Sequence, residues 1–203
     1  MLDKQMRRIK ENVLTPIARH VGEHISPAGI TITGAVIGLA SAGVAWQGWY
    51  AAGLGLWLAN RVLDGLDGTV ARLYNKQSDI GAYLDIMVDF VIYAAIPVGL
   101  ALSIGTASAY IALSLLLASF YVNSASWMYL SSLLEKRKQG ATTSGEMTGV
   151  TMPAGLIEGT ETIIFYTLFF LFPQSLTALF LIMTIPVIIT IAQRILWALN
   201  NLD

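Results

Sequence analysis

Three stretches of this 203-residue chain carry no charged side chain: residues 25–60, 90–134 and 162–193, which are 36, 45 and 32 residues long. A helix crosses the hydrocarbon core of a bilayer with about 20 predominantly apolar residues. Each stretch is too long for one crossing and fits two once flanking residues complete the ends, so six spans are expected. Charged residues make up 12% of the sequence, against about 25% in a soluble domain. So few charges cannot clothe a water-soluble surface, which excludes a secreted enzyme or a cytosolic globule. Membrane strands would alternate in polarity over segments of about ten residues, and no such alternation is visible. With no cysteine, the chain has no disulfides, thiolate metal sites or cysteine nucleophiles. The N-terminal segment is charged well beyond a short n-region and lacks an apolar h-region, so no secretory leader is expected.

The expected fold is an all-α integral membrane protein with six transmembrane helices, preceded by an N-terminal amphipathic surface helix. In residues 2–22, Leu2, Met6, Ile9, Val13, Ile17 and Val21 recur at spacings of three and four, with Lys4, Arg7, Arg8, Lys10 and Arg19 between them. Such a helix suits an anionic membrane surface; packing against the rest of the protein explains it equally well. Residues 1–25 form this juxtamembrane part and 26–203 the six-span domain. Ser26-Pro27 opens the first span, since proline suits a first helical turn. The spans are expected near 28–47, 50–73, 80–103, 107–134, 152–172 and 175–198. All 12 Lys and Arg and all 13 Asp and Glu fall on one side of this map. By the positive-inside bias that side is cytoplasmic, together with both termini, so the chemistry is expected at the cytoplasmic face.

Four aspartates break the apolar pattern. Asp64 and Asp67 lie in the last part of span two, Asp85 and Asp89 in the first part of span three. Asp64 is about eight residues from its helix end, or about 12 Å deep. An isolated carboxylate there costs at least a few kcal/mol, and four repel one another unless cations compensate them. Side chains at i, i+3 and i+4 share a helix face. Asp64, Asp67 and Ala71 therefore form one stripe, and Gly81, Asp85 and Asp89 another. The short turn between the helices predicts antiparallel neighbours with facing stripes and four carboxylates converging on one pocket. Oxygen-only ligands favour Mg²⁺, Mn²⁺ or Ca²⁺. Four carboxylates suffice for two ions about 3.5–4 Å apart, the arrangement that clamps phosphoryl groups in displacement reactions. Gly68 and Gly81 let a ligand approach the backbone, Ala71 is small, and Arg72 can hold a phosphate bidentately. The residues point to a divalent-metal site beside a groove for a diphosphate. Ordinary helix-end acids paired with Arg61, Arg72 or Lys76 would explain one such aspartate, but not two matching stripes.

The run Asp64-Gly-Leu-Asp67-Gly68-Thr-Val-Ala71-Arg72, followed at fixed gaps by Gly81, Asp85 and Asp89, resembles the signature of the CDP-alcohol phosphotransferases, D-x2-D-G-x2-A-R-x8-G-x3-D-x3-D. Every defined position is filled. The six-span plan is similar too, and Ser26-Pro27 to Thr31-x-x-Gly34 looks like the family's opening of span one, with Ala28 where Asn is common. The resemblance implies an enzyme that cleaves the diphosphate of a CDP-linked substrate, transfers the phosphoryl-bearing part to an alcohol and releases CMP. It implies that Asp64, Asp67, Asp85 and Asp89 bind Mg²⁺ or Mn²⁺, with two ions expected. It makes Asp89 also the general base, and Gly68, Ala71, Arg72 and Gly81 the lining of the CDP pocket. It implies a homodimer in a bacterial inner membrane, and no nucleic-acid partner is expected.

Short six-span members resemble enzymes that take CDP-diacylglycerol and a polar alcohol. Glycerol 3-phosphate is the leading acceptor; inositol phosphate, serine, or phosphatidylglycerol giving cardiolipin are rivals. A phosphorylated acceptor needs cations, and the later spans offer Lys136, Arg137, Lys138 and Arg194. Glu158 and Glu161, three apart near the start of span five, either line the acceptor pocket with Arg194 or pair with Arg194 or Arg61. Two extra acids would count against an anionic acceptor. Asn123, Ser124 and Ser126 suit hydrogen bonding between helices. A divalent-cation transporter would use the same four acids. It would leave Gly68, Ala71, Arg72 and Gly81 unexplained, and the distal halves of the spans carry no polar path.

Overall fold

The structure is a computed structural model that describes residues 13–140 and 155–202. Among the described residues every regular element is a helix. In chain order they are α1 (13–22), α2 (Pro27–Trp46), α3 (Tyr50–Leu73), α4 (Asp79–Ile104), α5 (Ala107–Lys136), α6 (Gly159–Leu171) and α7 (Leu176–Asn201). A short 3-10 turn, Pro173–Ser175, leads into α7. Local chemistry fixes several starts. Ser26 accepts from the Gly29 amide with Pro27 in the first turn of α2. Ser78 accepts from the Gly81 amide to open α4, and Thr106 from the Ala109 amide to open α5. These side chains satisfy amides that a helix leaves unpaired at its N-terminus. Gly105, at φ +68°, ends α4 in the left-handed conformation that glycine adopts without strain.

Among the described residues, four helices are long and apolar enough to cross a membrane: α2, α4, α5 and α7 with its leading turn. The chain is an integral membrane protein. With 24 residues, α3 extends about 36 Å, but Asn60, Arg61, Asp64, Asp67 and Arg72 interrupt its apolar surface. The expected span over 152–172 is shorter than the sequence predicts. Residues 155–158 are not helical, 152–154 lie outside the described residues, and α6 begins only at Gly159 with 13 residues. The cause is a helix start at Glu158, described below.

A second difference concerns α3 and α4, which are not close neighbours. Both pack extensively against α2, while their direct backbone contact is marginal. A cleft lies between α3 and α4, with Thr31 and Gly34 of α2 also lining it. Small residues make this packing possible. Gly34, Gly38, Ala42 and Ala45 are buried along α2, and a Cβ on Gly99 of α4 would lie 2.3 Å from the Ala42 carbonyl oxygen. In a bilayer, where apolar contact with lipid matches apolar contact with protein, such close approach and interhelical hydrogen bonds hold helices together. Ser41 Oγ donates to the Gly53 carbonyl at 2.7 Å and Asn60 Nδ2 to the Gly34 carbonyl at 2.8 Å.

The main core joins Trp57, Ile92, Ile96, Tyr166, Phe169, Phe180 and Met183. A smaller cluster of Ala18, Ile30, Leu66 and Val70 docks α1 onto α2 and α3, reinforced by Tyr74 Oη donating to the Arg19 carbonyl at 2.6 Å. The described part of the N-terminal helix thus packs on the protein through Leu14 and Ala18, with Val13 and Ile17 turned outward. Residues 2–12 of the expected surface helix lie outside the described residues, as does the connection 141–154.

Candidate active site

The cleft between α3 and α4 is lined by Thr31, Gly34, Asn60, Arg61, Asp64, Asp67, Asp85 and Val88. Three of the four motif aspartates face one cavity. Asp67 is the most firmly held. Its Oδ2 accepts from Thr31 Oγ1 at 2.6 Å and its Oδ1 from the Gly68 amide at 2.6 Å, and the residue is buried. Thr31 also donates to the Pro27 carbonyl, so the proline-started first turn of α2 orients the side chain that orients Asp67. Asp64 lies on the same face one turn earlier, its Oδ1 3.8 Å from Arg61 Nη1. Asp85 reaches the cleft from α4.

Asp89 sits differently. It is absent from the cleft lining, and its Oδ1 accepts from Arg61 Nη2 at 2.9 Å. Asp64 and Asp85 are within electrostatic range of it. As the side chains stand, no three of His, Asp and Glu among the described residues are gathered closely enough to hold one ion. Three of the four carboxylates thus line one cleft, and the fourth is bonded to Arg61.

Gly68, Ala71, Arg72 and Gly81 lie nearer the helix ends than this lining. Arg72 Nη2 reaches Thr69 Oγ1 at 3.4 Å, and a Cβ on Gly68 would stand 3.3 Å from Arg72 Nη1. Gly81 donates its amide to Ser78 at 3.2 Å. It therefore belongs to the N-cap of α4, which its place at the start of that span did not reveal.

Glu158 and Glu161 have a structural duty at the start of α6. The Glu158 side chain accepts from the Glu161 amide, and Glu161 Oε2 accepts from the Glu158 amide at 3.1 Å. This reciprocal box satisfies two amides at the start of α6, and its spacing of three was the available signal. Glu158 also lies within electrostatic range of Arg194. Arg194 is buried and donates to Asn123 Oδ1 at 2.6 Å, so Asn123 does bond across helices. Glu161→Ala is expected to cost about 0.5–2 kcal/mol of stability, as cap removal does, read as a lowered thermal midpoint with the KM for alcohol unchanged. A rise in that KM at unchanged stability would return Glu161 to the acceptor pocket.

Fold and site define an integral membrane protein with an acidic, oxygen-lined cleft at one end of its helices. A sequence model of the CDP-alcohol phosphatidyltransferase family matches residues 24–199, and the chain belongs to that family of membrane transferases in phospholipid synthesis. It is 37% identical to the "Inner membrane protein YnjF" of Escherichia coli K12 over 149 residues, 73% of this chain and 71% of that one. Over 79 residues, 39% of this chain and 28% of the relative, it is 35% identical to a CDP-diacylglycerol–serine O-phosphatidyltransferase of Mycobacterium bovis. The phosphatidylinositol phosphate synthase PgsA1 of Mycobacterium tuberculosis has a similar structure. Its form with CDP-DAG bound aligns with TM-score 0.70 at 25% identity, covering 91% of this chain and 92% of the other. Its complex with manganese and citrate aligns with TM-score 0.70 at 26% identity, covering 90% and 87%.

Proposed function

We propose that this enzyme transfers a phosphatidyl group from CDP-diacylglycerol to a polar alcohol, releasing CMP, at the cytoplasmic face of a bacterial inner membrane. One observation carries the reading: the complete motif lies on two helices, and three of its aspartates line one acidic cleft. The neighbour crystallised with CDP-DAG supports the lipid substrate, and the one with manganese supports a divalent cation. Six spans, an N-terminal helix on the cytoplasmic surface and a homodimer complete the proposal. The one-sided charge distribution supports the orientation.

The donor set suits a hard divalent cation: Asp64, Asp67 and Asp85 offer only oxygen and share the cleft. Rotation of half-buried Asp64 and Asp85 closes the set around the fixed Asp67, with Asp89 at its edge. Mg²⁺ or Mn²⁺ held there, as one ion or two, would neutralise the diphosphate and stabilise charge on departing CMP. Arg72, Gly68 and Ala71 bind the CDP portion, and Gly81 shapes the opposite wall. Asp89 accepts the proton of the acceptor hydroxyl. The acceptor oxygen bonds the phosphorus that carries diacylglycerol, the bridging P–O bond breaks, and its electron pair leaves with CMP. The lipid tails stay in the bilayer beside α3 and α4.

Glycerol 3-phosphate leads the acceptors. Glu158 and Glu161 keep their charges in the capping box, and Glu158 lies within electrostatic range of Arg194, the cation that offsets them. The structural neighbours bring inositol phosphate forward, and the curated relatives serine. Purified protein given CDP-diacylglycerol, Mg²⁺ or Mn²⁺ and these acceptors in parallel should release CMP with one of them. No CMP with any acceptor would defeat the proposal; metal-ion uptake into vesicles instead would favour a transporter.

The nucleotide pocket makes its own prediction. Ala71→Leu fills the groove and should raise the KM for CDP-lipid about 5- to 150-fold, since overpacking typically costs about 1–3 kcal/mol. Arg72→Ala should raise it similarly through loss of a charge-assisted contact worth about 1.5–3 kcal/mol. Wild-type kinetics in both variants would move the pocket elsewhere.

A further inference from the structure

The motif accounts for four acids but not for the cation beside them. Arg61 lies one turn before Asp64 on α3 and is buried. Its guanidinium is fixed mainly by groups outside the motif. Nε and Nη2 both donate to Asn60 Oδ1, at 3.0 and 2.7 Å, and Nη1 donates to Tyr93 Oη at 2.9 Å. Its Cζ lies 4.8 Å from the ring centre of Trp57 and 5.1 Å from that of Tyr93, within cation–π range. The supports are held in turn. Asn60 is bonded to the Gly34 carbonyl of α2. Tyr166 Oη on α6 donates to the Tyr93 carbonyl at 2.5 Å, and the Trp57 and Tyr166 ring centres are 5.1 Å apart. Four helices therefore fix one guanidinium.

With this anchor immobile, the Arg61–Asp89 contact constrains the carboxylate. The Asp89 side chain is 29% exposed against 7% for Arg61, and like charges on Asp64 and Asp85 act on it. Arg61 is its only hydrogen-bond partner among the described residues. Released from Arg61, the side chain would redistribute among its staggered rotamers.

We propose that Arg61 is a positioning residue of the transfer reaction: it grips Oδ1 of Asp89 and so sets Oδ2 to receive the acceptor proton. The inference rests on the reading of Asp89 as general base. The proton passes from the acceptor oxygen to Oδ2 as that oxygen bonds phosphorus and the CMP bond breaks; Arg61 exchanges no proton and acts through Asp89.

A double-mutant cycle on the full-length protein in lipid nanodiscs tests this, with CMP release from CDP-diacylglycerol as readout and glycerol 3-phosphate, inositol phosphate and serine as acceptors. Arg61→Lys keeps the charge but cannot span Asn60, Tyr93 and Asp89 with one planar fork. It should lower kcat about 10–100-fold, the scale of a 1 Å misplacement, with the KM for CDP-lipid within about twofold. Tyr93→Phe, which loosens the anchor without touching Asp89, should show the same pattern more weakly. In an Asp89→Asn background neither change should lower the rate further, because the group being positioned is gone. A multiplicative loss in the double variant, a KM rise at constant kcat, or wild-type kcat in folded Arg61→Lys would each overturn the proposal. Should Arg61→Lys fail to fold, Tyr93→Phe with Asp89→Asn carries the same cycle. Full activity of Asp89→Asn alone would remove the base reading and this inference together, whereas multiplicative losses remove only the inference.

Discussion

Asp89→Asn is expected to lower CMP release by about 10²–10⁴, the usual loss when a general base is removed, while the protein still folds and still binds CDP-lipid. Asp89 is ten residues into α4 from Asp79, about 15 Å along the helix, where bulk water is a poor substitute base. The amide of asparagine keeps the shape, and its oxygen can still accept from Arg61 Nη2, so the contact seen at 2.9 Å persists. Asp64, 3.8 Å from the same guanidinium, keeps the buried Arg61 charge compensated. An alcohol holds its proton far too tightly to attack phosphorus without a base in reach, so the loss falls on kcat. Thermal midpoint and CDP-lipid binding serve as controls for folding and for the nucleotide site. Substantial CMP production by the folded variant would move the base role to Asp85.

The helices were legible because their causes are local. Ser26-Pro27, Ser78 and Thr106 start helices by capping, Gly105 stops one, and charge-free runs set the lengths. The acidic site was legible because carboxylates in an apolar helix have no ordinary reason to be there. What escaped depends on tertiary geometry. Periodicity predicts which face Asp85 shares with Asp89, but not that α2 separates α3 from α4, because that turns on the small residues of α2 meeting Gly99. Arg61 was visible as one of three cations able to pair with the acids. Its grip on Asp89 depends on Tyr93, 32 residues away, and on Trp57 and Tyr166. The Glu158–Glu161 box shows the converse: two acids three apart carry a local capping signal, and the same spacing also suits ligands or ion-pair partners on one helix face. Local capping gives them a duty that requires no ligand, and it sets where α6 begins.

Chelation of divalent cations should abolish activity, and Mg²⁺ or Mn²⁺ should restore it. Three cations, Arg61, Arg72 and Lys76, lie in the sequence around Asp64, Asp67, Asp85 and Asp89, so the four carboxylates outnumber them before substrate arrives. A CDP-lipid brings a diphosphate with about two more negative charges. At about 4 Å and an effective dielectric constant near 20, each unit-charge repulsion is worth about 4 kcal/mol, so binding without a cation opposes itself several times over. Asp67 is held in place by Thr31 and the Gly68 amide, with a lone pair left on each oxygen, which leaves Asp64 and Asp85 to adjust. Losing several kcal/mol of transition-state stabilisation corresponds to at least about 10² in rate. Binding also has a readout independent of turnover. A cation that binds only the folded site stabilises it by about 2.7 kcal/mol at 100 times its dissociation constant. Mn²⁺ should therefore raise the thermal midpoint of the wild type and do so far less in Asp64→Asn or Asp85→Asn. Full activity in EDTA-treated, metal-free buffer, or an equal Mn²⁺ shift in those variants, would show that the cleft works without a cation or that the cation binds elsewhere.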